Sequence, residues 1–359
     1  MKGRTVLLTG ATGFLGAHLL AELLAAGAAE VRCLVRAPDA HTALRRLRAA
    51  ASRQGLTAPV GRRVRAVPGD LARPSFGLTA GAFAALGRGV DLVIHAGAQV
   101  SLALPYESLK PVNVGGTREV LRLAAEQGTP VHHISTLSVL GTTGPDEALR
   151  LPEASGLGSG YAQSKWVADR LVAAAGERGL PVAVHRTGRL FVNSTTGGHN
   201  PDDLLVQVLA AALRLGVAPD LDAVLRLGPV DWVSSVICAL AAHPAGTGRA
   251  YHLTGLRPLE WSGLLDAVAA AGHGLARARY PHWRDVLTET AGRTGDGTLT
   301  RPALVLGGRP PFTRGTDATA VNARAVLGDA FTEGYPPSET QLLTRLCETL
   351  ATDRARTGR

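Results

Sequence analysis

A glycine-rich turn near the start of the chain constrains the fold more than any other feature. It reads TGATGFLG, after the apolar run Val6–Thr9 and before the helical pattern Leu15–Ala26. In a strand–turn–helix unit the first glycine permits the turn, the second lets the backbone approach a pyrophosphate, and the third lets the helix pack on the strand. The helix N-terminus then favours phosphate. The residues predicted to form this dinucleotide site are Thr9, Gly10, Thr12, Gly13, Phe14, Leu15 and Gly16.

Short β-branched runs alternate with longer helical patterns over the first two-thirds of the chain. This alternation is typical of stacked βαβ units around a parallel sheet. We predict an α/β protein with a Rossmann-like, doubly wound parallel sheet and a smaller, mostly helical C-terminal substrate domain. The predicted strands are Val6–Thr9, Val31–Val35, Val64–Pro68, Leu92–His95, Val131–Ser135, Val182–His185 and Ala250–Leu253.

The pattern loosens after Asn193, which predicts a change of domain there. Asp231 is expected to cap the N-terminus of a helix. The Gly/Pro/Thr-rich stretch Gly292–Gly315 is expected to form a loop. The predicted dinucleotide-binding domain comprises residues 1–192 and 226–256, and the predicted substrate-binding domain comprises residues 193–225 and 257–359.

The charge is strongly basic, with a net charge of +9 and only three lysines among 38 basic residues. A basic surface suits nucleic acid, a phosphorylated cofactor or an acidic partner. Aromatic residues make up only 4%, and no nucleic-acid-binding motif is present, so we expect no nucleic-acid partner. No apolar run is long enough for a membrane span. The cysteines show no metal-ligand spacing and their sparse, odd count suits a reducing compartment, so we expect no metal site and a cytoplasmic location; they are Cys33, Cys238 and Cys347.

The second predicted strand carries the signal for cofactor type. An NAD site usually places an acid near the end of this strand, to hold the ribose hydroxyls. This strand reads VRCLVRA and has no acid before Asp39, whereas Arg36 offers planar donors for a 2′-phosphate. We therefore predict NADPH rather than NAD. Arg46 on the next helix is either a second phosphate ligand or a solvated side chain. Further cofactor contacts are predicted at Asp70 and Leu71 for adenine, and at the small residues Ala96, Gly97 and Ala98.

A Y-x-x-x-K motif follows the fifth predicted strand. Residues four apart on a helix share a face, so Tyr161 and Lys165 point at the same place. A nearby cation is expected to lower the pKa of the tyrosine and make it a usable acid. Thr136, in preference to Ser138, is predicted to hold the substrate carbonyl oxygen. The adjacent His132 and His133 alternate faces of a strand and are interpreted as structural or surface residues.

Together these motifs resemble the extended short-chain dehydrogenase/reductase superfamily. Within it the chain is most similar to the thioester reductase domains that end nonribosomal peptide and polyketide synthases and that occur in carboxylic acid reductases. The resemblance is firmest from about Gly3 to Leu253. The more specific segments are PYESLKPVNVGGT and YAQSKWVAD, and the broader ones are TGATGFLG, CLVRA, PGDL, HHISTLSV and LGPVDWV.

The resemblance implies NADPH-dependent reduction of an acyl or peptidyl thioester on a carrier protein's phosphopantetheine arm. The product is an aldehyde, reduced further to an alcohol in some members. Thr136, Tyr161 and Lys165 form the implied catalytic triad, and Asn113 is an implied cofactor-binding residue. Members are often monomeric. The chain fits either a free-standing enzyme or a terminal domain of a larger synthase.

Three departures from the family pattern lie near the predicted site. Ala96 replaces a frequent Asn, Thr187 replaces the Pro of an Arg-Pro-Gly segment, and Asp169 replaces a Glu. None of these removes a member of the triad. The alternatives are an extended-family ketoreductase, dehydrogenase or epimerase acting on a free small molecule, and a catalytically silent dinucleotide-binding regulator. The acyl or peptidyl substrate is not specified by any motif.

Overall fold

The computed structural model describes residues 1–57, 61–101, 103–141, 146–312, 318–336 and 338–357. Its strands, in chain order, are β1 Thr5–Thr9, β2 Glu30–Val35, β3 Val64–Pro68, β4 Leu92–His95, β5 Val131–Thr136, β6 Val182–Thr187, β7 Arg189–Phe191, β8 Val217–Asp220, β9 Val224–Leu225, β10 Leu227–Pro229, β11 Arg249–Leu253, β12 Leu259–Glu260 and β13 Ala276–Arg279.

Helices alternate with these strands as the sequence pattern predicts. The α-helices are α1 Phe14–Ala25, α2 Ala40–Arg53, α3 Ala80–Gly87, α4 Tyr106–Lys110, α5 Gly116–Ala125, α6 Gly160–Glu177, α7 Leu204–Leu215, α8 Val230–Ala242, α9 Trp261–Ala270, α10 Tyr280–Thr294, α11 Gly297–Val305, α12 Val321–Leu327 and α13 Glu339–Thr357. A π-helical turn, Pro111–Gly115, joins α4 to α5. Short 3-10 turns lie at Pro74–Gly77, Leu137–Leu140 and Gly328–Phe331.

Seven strands form one sheet in the order β11-β6-β5-β4-β1-β2-β3, and every neighbouring pair is parallel. The strand order reverses between β1 and β4, where Thr9 and His95 are register partners. Doubly wound sheets bind ligands outside the carboxyl ends of their strands at such a point. The predicted α/β fold with a Rossmann-like parallel sheet is therefore confirmed.

The chain divides into two structural units. The first comprises Met1–Leu190, Val230–Thr254 and Asp317–Gly334, and the second comprises Phe191–Pro229, Gly255–Thr316 and Tyr335–Arg359. Residues such as Leu7, Val93 and Val184 form the core of the first unit. The second unit has its own core, built around side chains that include Trp261 and Trp283.

The segment that contains α12 lies in the first unit, whereas the sequence predicted it to be part of the substrate-binding domain. Asn322 explains this placement, because its backbone N donates to Glu147 Oε2 at 2.5 Å and its Nδ2 donates to Ala250 O at 2.9 Å. Trp232 Nε1 also donates to Phe331 O at 3.1 Å. These long-range hydrogen bonds leave no local pattern in the sequence.

Two local predictions are wrong. Asp231 lies in the first turn of α8 rather than at its cap, because the helix already begins at Val230. The expected loop Gly292–Gly315 contains the end of α10 and all of α11. Asp296 caps α11 by accepting from Thr298 N at 2.9 Å. Residues 313–315 of that stretch lie outside the described residues.

No helix in the described ranges is long and apolar enough to cross a lipid bilayer.

Candidate active site

The glycine turn between β1 and α1 is tightly packed against the segment that follows β4. Gly10 has a φ of +76°, and a Cβ there would lie 2.6 Å from the carbonyl carbon and oxygen of Ala96. At Gly16 a Cβ would lie 2.0 Å from Gly10 O. Gly13 is exposed, and its N donates to Gly10 O at 2.9 Å. The turn is thus a cradle of bare backbone at the helix N-terminus, which fits a pyrophosphate.

Thr9 joins this turn to the end of β4. Its side chain is fully buried, and its hydroxyl lies 2.7 Å from His95 Nδ1 and accepts from Gly97 N at 3.0 Å. The other ring nitrogen of His95 lies 3.0 Å from Thr117 Oγ1. Thr9 therefore shapes the cradle, and His95 has a structural role, with both of its ring nitrogens held by threonine hydroxyls.

The carboxyl end of β2 carries the residues predicted to select the cofactor. Arg36 and Arg46 are exposed, and Arg46 Nη1 donates to the backbone carbonyl of Arg36. The helix thus places a second cation beside Arg36. Arg32, in contrast to Arg36, binds protein atoms: its guanidinium donates to Glu30 Oε2 and to Leu86 O at 3.0 Å each.

Asp70 and Leu71 follow β3, where the sequence predicted the adenine site. The Asp70 carboxylate accepts from Ala72 N at 2.9 Å and so closes a turn. The side chain of Leu71 lies against Gly97, where an added Cβ would be 2.4 Å from Leu71 Cδ1. A side chain at Gly97 would therefore force Leu71 to shift. Ala96 and Ala98 are half-buried on the same segment.

Asn113, in the π-helical turn, binds protein atoms with its whole amide group. Its Oδ1 accepts from Gln99 N at 2.8 Å, and its Nδ2 donates to Gln99 O at 3.0 Å and to Ser164 Oγ at 2.9 Å. Asn113 is buried and thereby fixes the segment after β4 to α6, next to Lys165. Its predicted cofactor contact stays a prediction.

Lys165 lies on α6 with its ammonium group buried against β5. Its Nζ is 3.1 Å from His133 Nε2 and donates to Ile134 O at 2.6 Å. Burial lowers the pKa of Lys165 to about 8, while the neighbouring Asp169 carboxylate acts in the opposite direction. Burial also holds the pKa of His133 well below its usual value, so this ring is a neutral acceptor at neutral pH.

The hydroxyl groups of the predicted triad belong to α6 and to the end of β5. Thr136 ends β5, and its Oγ1 accepts from Ser138 N and donates to Ser138 Oγ, both at 3.2 Å. Burial raises the pKa of Tyr161 to about 12. The expected lowering of this pKa is therefore wrong for the protein alone, because desolvation is the dominant influence on the phenol. Tyr161 is thus protonated at neutral pH.

A buried ion pair lies one helical turn beyond Lys165. Arg186 Nε is 3.0 Å from Asp169 Oδ2, and Arg186 Nη2 is 3.1 Å from Asp169 Oδ1. Ser135 Oγ donates to the same carboxylate at 3.0 Å. Arg186 Nη2 also donates to Leu149 O. This network ties α6, β5 and β6 together behind the triad.

Several histidines are buried in the central sheet. Of the two interpretations of His132 and His133, structural or surface residues, their burial agrees with the structural one, and the buried His185 was not singled out in the sequence. His132 Nδ1 lies 2.9 Å from His185 Nε2 on β6. Period-two alternation could have indicated that His133 shares a face with Ser135, towards the helix that carries Lys165. In the described part of the chain, no group of three metal-ligating side chains is found.

Comparison with known proteins agrees with this geometry. The model of a family described as "Male sterility protein", an NAD-binding family, matches residues 8–237, more than half of the chain. The chain belongs to this family of extended short-chain dehydrogenases/reductases. It is 37% identical over 340 residues to a linear gramicidin synthase from Brevibacillus parabrevis, covering 92% of the chain and 6% of that protein. It is 42% identical over 298 residues to an isonitrile lipopeptide synthase from Streptomyces coeruleorubidus, covering 81% and 20%.

A solved structure extends the family relationship over nearly the whole chain. The terminal R domain from the myxalamid PKS-NRPS biosynthetic pathway is 36% identical with a TM-score of 0.88, covering 98% of this chain and 92% of that one. The chain spans only a small part of the two synthases. Membership confirms the resemblance found in the sequence, and the chain is an oxidoreductase with an NAD(P)-binding domain.

Proposed function

We propose that the chain reduces an acyl or peptidyl thioester, held on a carrier protein's phosphopantetheine arm, with NADPH and releases an aldehyde or, after a second reduction, an alcohol. The observation that carries the proposal is the position of Thr136, Tyr161 and Lys165. All three belong to β5 and α6, and only β4 separates β5 from the strand that leads into the glycine cradle, in a chain whose relatives include a terminal R domain.

The cradle fits the pyrophosphate of a dinucleotide, since side chains are excluded from Gly10 and Gly16 by backbone atoms within 3 Å. The turn would hold the phosphates with N–H groups, and Arg36 with Arg46 would hold the 2′-phosphate. Lys165 would hold the nicotinamide ribose. When bound, the nicotinamide supplies the hydride. The finer assignment to NADPH rests on Arg36 and on the lack of an acid between Val31 and Arg36 in the sequence.

The chain's own groups act on the thioester carbonyl oxygen. Thr136 Oγ1 and the Tyr161 hydroxyl would both donate hydrogen bonds to this oxygen, and these bonds strengthen as negative charge develops on it. Tyr161 then gives its proton to the oxygen as the carbonyl carbon receives the hydride, which forms a hemithioacetal. The C–S bond of the hemithioacetal then breaks, its hydroxyl proton passes to the sulfur, and the aldehyde and the phosphopantetheine thiol are released. A phenol with a pKa of about 12 is fully protonated at neutral pH, so the acid is always in its working form. Lys165 lies one turn along the same helix face.

The partner of the proposed reaction is an acidic carrier protein. The net charge of +9 supports attraction to such a domain. The second structural unit, which has its own core, would bind the acyl or peptidyl group. Three free, buried cysteines support a cytoplasmic location. We propose a monomer, with neither a nucleic acid nor a membrane as partner.

The test follows NADPH absorbance with acyl thioesters on a carrier protein or a pantetheine mimic, with a reagent that traps aldehyde. We expect thioester-dependent oxidation that falls by about two to four orders of magnitude in Tyr161→Phe. Tyr251→Phe is the matched control, because it removes a buried hydroxyl that donates to Gly246 O at 3.0 Å in the same structural unit. Oxidation of NADPH only by free ketones or aldehydes would replace the proposal with a ketoreductase.

A further inference from the structure

His133 lies beside the triad, contacts a triad member and has no assigned role. Its Nε2 lies 3.1 Å from Lys165 Nζ, and both side chains are almost completely buried. An ammonium group has three N–H donors. In the described residues, His133 Nε2 and Ile134 O take two of them. The third donor is left for a ligand.

The ring of His133 is held in place by contacts that lead back to the glycine turn. His95 packs on it with ring centroids 5.1 Å apart. His95 is itself fixed by Thr9 on one ring nitrogen and by Thr117 on the other. Thr9 also bonds to Gly97 N beside the turn. A continuous set of buried contacts therefore connects the phosphate cradle to the ammonium of Lys165.

We propose that His133 is a positioning residue, whose neutral Nε2 fixes the Lys165 ammonium so that its third N–H points at the bound dinucleotide. The role assigned to Lys165 rests on the proposed function. Because Nε2 accepts from the ammonium, the neutral ring carries its proton on Nδ1, and that atom has no hydrogen-bond partner among the described residues. Nε2 of His133 is therefore free of a proton and accepts the hydrogen bond from Lys165.

The charged and titratable groups around Lys165 determine how a substitution of His133 would change the pKa of Lys165. Asp169 lies on the same helix and favours the ammonium form, whereas burial opposes it. His133 on β5 contacts the ammonium, and burial together with the Lys165 charge lowers the pKa of His133 and that of His95 on β4. Tyr161 precedes Lys165 by one turn. His133 is the acceptor among these groups, so its loss should make the ammonium form less stable.

Because the chain has only three lysines, the titration of Lys165 can be measured directly. Lysine labelled with ¹³C at Cε gives three NMR signals, and Lys165→Arg identifies the buried one. In His133→Phe, which keeps the ring volume but lacks the acceptor, we expect the Lys165 titration midpoint to fall by about one pH unit from about 8. His133→Gln returns a hydrogen-bond acceptor, so its Lys165 midpoint should lie close to that of the wild type. His132→Phe is the matched control, because His132 bonds to His185 instead.

Binding of NADPH, measured by its fluorescence, should weaken by about tenfold in His133→Phe and much less in His133→Gln. An unchanged Lys165 midpoint in folded His133→Phe would overturn the proposal, as would equal midpoints in the Phe and Gln variants. If His133→Phe does not fold, His133→Asn replaces it, since its shorter amide does not reach the position of Nε2. Neither measurement uses a thioester, so failure of the proposed function and failure of this inference are distinguishable.

Discussion

Asp169 and Arg186 form a two-pronged ion pair in the interior of the protein, with both side chains inaccessible to solvent. The pair joins the helix that carries Tyr161 and Lys165 to the strand next to β5. Two buried charges cost free energy to desolvate, and they are tolerated because each oxygen of Asp169 has a donor from Arg186 at 3.0 or 3.1 Å.

Breaking this pair from one side should destabilise the fold strongly. Asp169→Asn leaves the Arg186 guanidinium buried without a counter-charge, so we expect a loss of about 3 kcal/mol in the free energy of unfolding. Urea denaturation followed by circular dichroism measures it. Glu177→Gln is the control, because it breaks the exposed pair with Arg150 at 2.7 Å and should cost less than about 1 kcal/mol. Similar losses in the two variants would contradict the prediction.

The buried Lys165 should make stability depend on pH in a defined window. Its pKa is about 8 in the folded protein and about 10.4 in an unfolded chain, so between these values the unfolded state binds more protons. Stability due to this group therefore rises with pH from about 8 to about 10. Relative to Lys165→Met, the free energy of unfolding of the wild type should increase by about 2 kcal/mol across that window, as measured by urea denaturation at each pH. If the free energies of unfolding of the wild type and Lys165→Met differ by the same amount from pH 7 to pH 10, the prediction is wrong.

Two glycines of the turn should respond differently to alanine. At Gly16 a Cβ meets backbone at 2.0 Å, so Gly16→Ala should destabilise the fold by several kcal/mol, about 3. At Gly13 the nearest atom is 3.2 Å away and the residue is exposed, so Gly13→Ala should fold but bind the dinucleotide weakly. Thermal unfolding and fluorescence titration with NADPH separate the two effects. Gly81→Ala on helix α3 is the control, since a Cβ there meets no described atom within 4 Å, and it should stabilise slightly.

Two arginines of the second βα unit should separate cofactor choice from stability. Arg36→Ala should raise the Kd for NADPH about tenfold or more and leave that for NADH nearly unchanged, since only NADPH has the 2′-phosphate. Arg32→Ala should keep the preference and lose stability, because Arg32 binds carbonyl groups at the end of α3. The Kd values of each variant for NADPH and NADH show whether the cofactor preference has changed. An unchanged NADPH to NADH ratio in Arg36→Ala would assign the 2′-phosphate to another group.

Local patterns in the sequence were sufficient for the sheet and for the helix that carries Tyr161 and Lys165. The strand Leu92–His95 was predicted to the residue, because a buried parallel strand is a short apolar run between turn signals. The half-buried edge strand Val64–Pro68 was also predicted to the residue. Helix α11 was missed because its glycine and proline residues resemble a loop. Its Asp296 cap and the packing of Leu299 outweigh their weak helix propensity.

The sequence by itself determined the family, the seven strands of the main sheet, the glycine cradle and the Tyr161–Lys165 pair, since each depends on patterns within short segments. Only the tertiary structure decided how the site is held and charged. His133 meets Lys165 across 32 residues, Asp169 meets Arg186 across 17, and Asn322 meets Glu147 across 175. The expected pKa of Tyr161 was wrong for the same reason. A pKa depends on burial, and burial is a property of everything packed around the group rather than of its neighbours along the chain.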